Sequence, residues 1–225
     1  MKRGNVRGLF TLDKGRGVRA AKRVGLVLAA LFVGYEAEPA FAKSHSLFAP
    51  ITKALQSAGQ AGPTQAWIEF CERLPQECAV DLSEPAEIRL DQQIWNTILQ
   101  VNNEVNRTIL SVTDQDHWGV TDRWDYPDDG MGDCEDIQLL KRKLLQQAGL
   151  PRRALRMTVV IDEEGAGHAV LMVRTDRGDF ILDNKRDEVL SWQETGYRYV
   201  KREGAKGSQW VWLGDQIAPV STANR

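Results

Sequence analysis

Two hydrophobic rhythms divide the chain. From Pro63 to about Leu110 apolar residues recur at helical spacing. "PTQAWIEFCERL" reads as one short helix, and "SEPAEIRLDQQIWNTILQVNNEVN" as a longer one, entered at Ser83 and Pro85, with Ile88, Leu90, Ile94, Trp95, Ile98, Leu99, Val101 and Val105 along a broad stripe. Residues 113–133, "TDQDHWGVTDRWDYPDDGMGD", keep neither helical nor strand period and carry seven Asp. Trp118, Trp124 and Tyr126 give that loop apolar bodies to pack, which predicts an ordered functional loop. "GDCEDIQLLKRKLLQQAGLP" then predicts a helix with both ends marked. Asp133 is placed to accept from the first backbone N–H groups, Cys134 is the first helical residue, and Leu139, Leu140, Leu144 and Ala148 form the apolar face. Gly149 suits a left-handed exit and Pro151 blocks continuation. Afterwards the period drops to two in "LRMTVVID" (155–162), "HAVLMVRT" (168–175), "GDFILDN" (178–184), "YRYVKRE" (197–203) and "QWVWL" (209–213). Helices followed by antiparallel strands predict an α+β fold, a helical part packed on a sheet.

The first 42 residues have another texture. Residues 1–23 hold eight Lys or Arg against one Asp, "VGLVLAALFVGY" is apolar, and Ala40 and Ala42 supply small residues before Lys43. That order is the n-region, h-region and cleavage site of a secretory signal peptide, with cleavage expected after Ala42 and a periplasmic product. An uncleaved membrane anchor is the alternative, although twelve apolar residues fall short of the ~20 that span a bilayer. The segments expected are therefore a signal peptide at 1–42, an N-terminal stretch at 43–62, one domain at 63–215 and a tail at 216–225. The 183 residues after cleavage suffice for a single core and carry a net charge of about −7. Nucleic acid, which needs a basic face, is excluded as a partner.

Export also sets the redox context of Cys71, Cys78 and Cys134, because thiols outside the cytoplasm tend to pair. Pro75 should end the helix begun at "PTQAW" and turn the chain back, so that Cys71 and Cys78 form a disulfide rather than two buried thiols. Cys134 is left as the odd cysteine, a candidate reactive thiol. A helix N-terminus favours a thiolate. Asp133, Glu135 and Asp136 oppose it, unless a cation masks them, and carboxylate oxygens are the ligands that calcium prefers. For a base, His168 opens a strand, while His45 lies beside the cleavage site and His117 in the Asp-rich loop. If "TDRG" (175–178) is a two-residue hairpin turn, Thr175 pairs with Gly178 and His168 falls opposite Lys185. Asp183 then sits one diagonal step from His168, where its carboxylate can orient the imidazole.

"GDCED" opening a helix, followed by "GHAVLMVRTDRGDFILDN", resembles the bacterial transglutaminase-like cysteine peptidases of the papain-like clan, a family that includes the periplasmic LapG-type adhesin proteases. The likeness spans about residues 63–213. It implies a papain/transglutaminase-like fold with Cys134 as nucleophile, His168 as general base and Asp183 as orienter, and calcium held by Asp133, Glu135 and Asp136. It also implies a protein substrate, a large surface adhesin whose processing controls biofilm, and an inner-membrane cyclic-di-GMP receptor as regulator. One departure stands out. The LapG-type pattern has Trp, Pro and Glu before the glycine, where this chain reads "WDYPDDGMGDCED", with Asp128 and Asp129 there. Its ending, "YRYVKREGAKGSQWVWL", also marks a separate subgroup, so the catalytic class carries over further than the adhesin substrate.

In the implied reaction the Cys134 thiolate attacks a peptide carbonyl, the Cys134 N–H stabilises the oxyanion, and a second donor comes from Trp95, Trp118 or Trp124. Three alternatives compete. The same triad can transfer the acyl group to a lysine amine, as a transglutaminase does. The carboxylates can form a non-catalytic calcium-dependent binding module with Cys134 incidental. Cys, His and Asp can also bind zinc, although only one cysteine and one well-placed histidine are available.

Overall fold

A computed structural model describes residues 48–207 and 209–213. The expected signal peptide and tail lie outside them. Two short helices lie in the first part of this stretch. Helix α1, Gln65–Arg73, is capped by Thr64, whose hydroxyl accepts from the Trp67 N–H, and it buries Ala66, Trp67 and Phe70. Pro75 ends it and starts the one-turn helix α2, Pro75–Cys78, where a missing N–H costs nothing. The reversal brings the Cα atoms of Cys71 and Cys78 to 5.7 Å and joins them in a disulfide, as the spacing predicts.

The long helix is α3, Gln92–Thr108, and it starts later than Ser83 and Pro85 suggest. The Asp91 carboxylate caps it by accepting from the Ile94 N–H. Residues before it are drawn into the sheet instead. Ile88 donates to the Arg174 carbonyl and accepts from Asp176, and Leu90 donates to the Asp176 side chain. Ile88 and Leu90 are buried, as the apolar stripe requires, but outside any helix, with Ile88 bridged to Thr175. Strand β1 (Gly59–Ala61), the two-residue strands β2 (Leu110–Ser111) and β3 (Met131–Gly132), and helix α4 (Asp114–His117) complete the elements before Cys134. β2 and β3 pair in parallel and close the Asp-rich loop at its neck.

Helix α5, Cys134–Gln147, begins and ends where the motif places it, with Gly149 at φ 91° behind it. Its environment differs from the expected one-sided stripe. Ile137, Leu139 and Leu145 are buried, but so are Glu135, Asp136, Gln138, Lys141 and Arg142, because α3, the sheet and the loop enclose the first turns together. Inside, Lys141 donates to Asn102 on α3 at 2.8 Å, and burial lowers its pKa to about 7. Arg142 and Arg152 converge on the buried Glu203.

After a 3-10 turn, Arg152–Ala154, the strands follow: β4 (Leu155–Ile161), β5 (Gly167–Thr175), β6 (Gly178–Asp183), β7 (Arg186–Ser191), β8 (Arg198–Glu203) and β9 (Trp210–Trp212). They form an antiparallel sheet with β1, in the order β1-β9-β8-β4-β5-β6-β7. One face, with Met157, Val159, Leu171, Val173, Phe180 and Leu182, packs under the helices. The other carries Val160, Val170, Met172, Ile181, Tyr197 and Tyr199 against Leu55. This is the α+β architecture. Among the described residues no helix is long and apolar enough to cross a membrane.

Candidate active site

The β5–β6 turn sets the geometry of the site. Thr175 pairs with Gly178, as a two-residue hairpin requires, and the ladder runs back to Leu171↔Leu182. Gly178 sits at φ 113°, and a Cβ there would fall 2.3 Å from the Thr52 side chain, so only glycine fits both the turn and the crossing segment. With that register His168 and Asp183 meet, Nε2 to Oδ1 at 2.9 Å, both buried. The Lys185 backbone N–H also donates to Asp183 Oδ1, at 3.0 Å, and the Tyr197 hydroxyl donates to Oδ2, at 2.6 Å. Burial pushes the Asp183 carboxyl up, but the hydrogen bond and charge of His168, with these donors, outweigh it and hold the pKa below its ordinary value. The other imidazole nitrogen, Nδ1, is buried without a hydrogen-bond partner.

Cys134 comes to the same place from α5. Its Sγ accepts from the N–H of Ala169, the residue after His168, at 3.3 Å. Its thiol donates to Glu135 Oε2 at 3.0 Å. Burial raises the thiol pKa well above the ordinary value, and the negative charges of Glu135 and Asp133 push it further. Together these outweigh the Ala169 N–H, which favours the thiolate.

Asp133 occupies the N-cap position of α5 but makes no side-chain cap bond, contrary to the expectation from its place in the motif. Both of its carboxylate oxygens are buried without a donor, and so are Glu135 Oε1 and Asp114 Oδ1. These groups face one another. Oxygens of Asp114, Asp133 and Asp136 lie within 4.8 Å of each other, as do those of Asp114, Asp122 and Glu135. Asp136 Oδ1 accepts the Asp125 N–H at 2.7 Å, and Asp114 accepts the Arg123 N–H. Burial, then repulsion from Asp114, raises Asp133 to about 7. Burial raises Asp136 to about 9 against the pull of the Asp125 N–H, with Asp133 and Asp114 adding to the rise. Unpaired carboxylates are expensive to bury, and a cluster of hard oxygens in which Asp133 Oδ1 and Oδ2, Glu135 Oε1 and Asp114 Oδ1 have no donor fits a hard cation such as calcium.

The motif therefore finds three of the carboxylates, Asp133, Glu135 and Asp136, and misses Asp114 and Asp122. Their signal was the acidic character of loop 113–133. No local rule, however, singles two Asp out of that loop, because the β2–β3 closure is what folds it over α5. Among the described residues, the metal-ligand group that contains Cys134 joins it to Asp133 and Glu135, and not to His168. His117 pairs with Asp129 at 2.9 Å and stacks on Trp118. Of the candidate oxyanion tryptophans, Trp95 packs on Phe180 and Trp124 on Trp210 within the core, while Trp118 is exposed.

Residues 57–218 match the model of the bacterial transglutaminase-like cysteine proteinases, BTLCP. The chain belongs to this family. No curated protein matches it in sequence. Among solved structures it is similar to Legionella pneumophila LapG in the calcium-bound form, with TM-score 0.46, 21% identity and 70% of this chain covering 93% of that one. LapG without a stated ligand gives 0.46, 22%, 71% and 92%, and EGTA-treated LapG gives 0.46, 22%, 70% and 88%. As a BTLCP member the chain is a transglutaminase-like cysteine peptidase at the level of its family.

Proposed function

We propose that the chain is an exported, periplasmic cysteine endopeptidase. Cys134 is its nucleophile, His168 its general base and Asp183 its orienting carboxylate, and its substrate is a protein, with a large surface adhesin the first candidate. The observation that carries this reading is the junction of α5 and β5, where the sulfur rests on the amide next to a histidine whose far nitrogen is held by a buried carboxylate. Asp183 fixes Nε2, which leaves Nδ1 as the nitrogen that exchanges a proton with the thiol. The thiol gives its proton to His168, and the sulfur bonds to the scissile carbonyl carbon. The Cys134 N–H, at the first position of α5, is the proposed donor to the resulting oxyanion. His168 returns the proton to the departing amine. It then draws a proton from water, which hydrolyses the thioester and frees the sulfur.

Asp133, Glu135 and Asp136, with Asp114 and Asp122, are the residues that would hold calcium. A bound ion would supply the positive charge that these carboxylates lack and take Glu135 away from the thiol. An inner-membrane cyclic-di-GMP receptor remains the proposed regulator.

The test compares the N-termini of exported proteins in cells making the wild-type chain and in cells making Cys134→Ala. A set of cleavage products present with the wild type and absent with the variant is expected. Cleavage that survives the substitution would refute the peptidase assignment, and cross-linked adducts in place of fragments would point to acyl transfer.

A further inference from the structure

The sheet face turned away from α5 holds a second polar feature. Side chains alternate along strands, so Arg156 on β4, Arg174 on β5 and Arg202 on β8 emerge on one face. The registers Arg156↔Met172 and Thr158↔Arg202 bring them together, with Arg156 diagonal to both of the others. They line a cavity of about 280 Å³ along with Lys206, Gln60 and Gln209, and no carboxylate is among its lining residues.

Behind this wall one buried acid, Asp179, serves two of the arginines, accepting from Arg174 Nε at 3.1 Å and Arg202 Nη1 at 3.3 Å. Arg174 also reaches the exposed rim at Glu87. Arg156 has no carboxylate of its own. Its Nε and Nη1 donate to the carbonyls of Arg153 and Glu203, and its Nη2 has no partner although the residue is only 2% exposed. Arg202 Nε is also unpartnered. The Glu203 carboxylate is committed to Arg142 and Arg152 on the opposite face. Burial and the neighbouring Arg202 and Arg174 charges lower Arg156 to about 9, in line with a cation whose neighbours are mostly other cations. An uncompensated buried charge is costly, and guanidinium forks match oxyanions in geometry.

We infer that this cavity is an anion-binding site, taking a small oxyanion of phosphate, sulfate or carboxylate type between Arg156, Arg174, Arg202 and Lys206. It stands apart from the candidate active site. Along β5, Arg174 is six residues from His168, or about 20 Å at the usual strand rise. The inference does not depend on the peptidase reading.

Calorimetric and thermal titrations of the full chain with sodium phosphate, sulfate and acetate, against sodium chloride at matched ionic strength and without added calcium, test it. At least one oxyanion should bind saturably and raise the melting temperature beyond the chloride control. Phosphate and sulfate responding alone would identify a tetrahedral ligand, and acetate responding would identify a carboxylate. Arg156→Gln should abolish the response. Because that residue is buried, the exposed Lys206→Gln and the partly exposed Arg174→Gln are measured alongside, and each should weaken binding at least fivefold. Responses no larger than chloride, or folded variants that bind as the wild type does, would overturn the inference.

Discussion

Asp183 is the most heavily held side chain of the candidate triad. His168, the Lys185 N–H and the Tyr197 hydroxyl all donate to it, and Tyr197 also packs edge-on to the His168 ring at 5.8 Å. No motif pointed to Tyr197, because its position follows from the β7–β8 connection and not from local sequence. Tyr197→Phe keeps the ring and removes the donor. A hydrogen bond to a charged group contributes about 1.5–3 kcal/mol, so a fall in kcat of about tenfold or more is expected, with KM little changed. Steady-state kinetics on a peptide spanning a mapped cleavage site checks this, and an unchanged kcat would mean that His168 and Lys185 suffice to hold the carboxylate. Asp133 teaches a related lesson at the same scale. Its place in the sequence marks it as the helix cap, yet buried beside four other acids its carboxylate makes no cap bond to α5.

At the scale of elements, α5 and the β5–β6 hairpin were legible because their signals are local: a glycine exit, a proline stop, and a two-residue turn that fixes the register and so the meeting of His168 with Asp183. The start of α3 was not, because the backbone of Ile88 and Leu90 is claimed by residues 174–176, far along the chain. Strand β7, "RDEVLS", escaped the period-two reading because this edge strand buries only two of its six residues. β3 is the element on which the acidic cluster depends most directly. At Gly132 a Cβ would fall 2.8 Å from Asp136 Cβ, 2.9 Å from its Oδ2 and 3.2 Å from Pro127. Gly132→Ala must therefore push Asp136 out of the cluster. It should cost about 1–3 kcal/mol of stability, the usual range for overpacking, and weaken calcium binding at least tenfold by isothermal titration. Retention of wild-type affinity would show that Asp136 is not a ligand.

For the whole molecule the acidic cluster sets an unusual pH dependence. Asp133 and Asp136, at about 7 and about 9, keep protons that the unfolded chain releases near ~4. A folded state that binds more protons than the unfolded one loses stability as pH rises, so without calcium the protein should weaken from about pH 4 toward 9. Calcium needs the deprotonated oxygens, so its stabilisation should grow over the same window. Asp183, held below its ordinary pKa, acts in the opposite sense: its contribution is present above ~3.9 and is lost only in stronger acid. Melting temperatures in EGTA and in millimolar calcium, taken from pH 5 to 9, should diverge as pH rises, and parallel curves would rule out a calcium site at these residues.

The sheet order also has a temporal side. β1, near the start of the described residues, pairs only with β9, near their end, through Gly59↔Trp212, Gln60↔Val211 and Ala61↔Trp210. A chain emerging from its N-terminal end carries β1 without a partner while α5, β5 and β6 form behind it, and such long-range pairing is slow to close. The seven-stranded sheet that carries His168 and Asp183 is therefore complete only once Trp212 has been delivered.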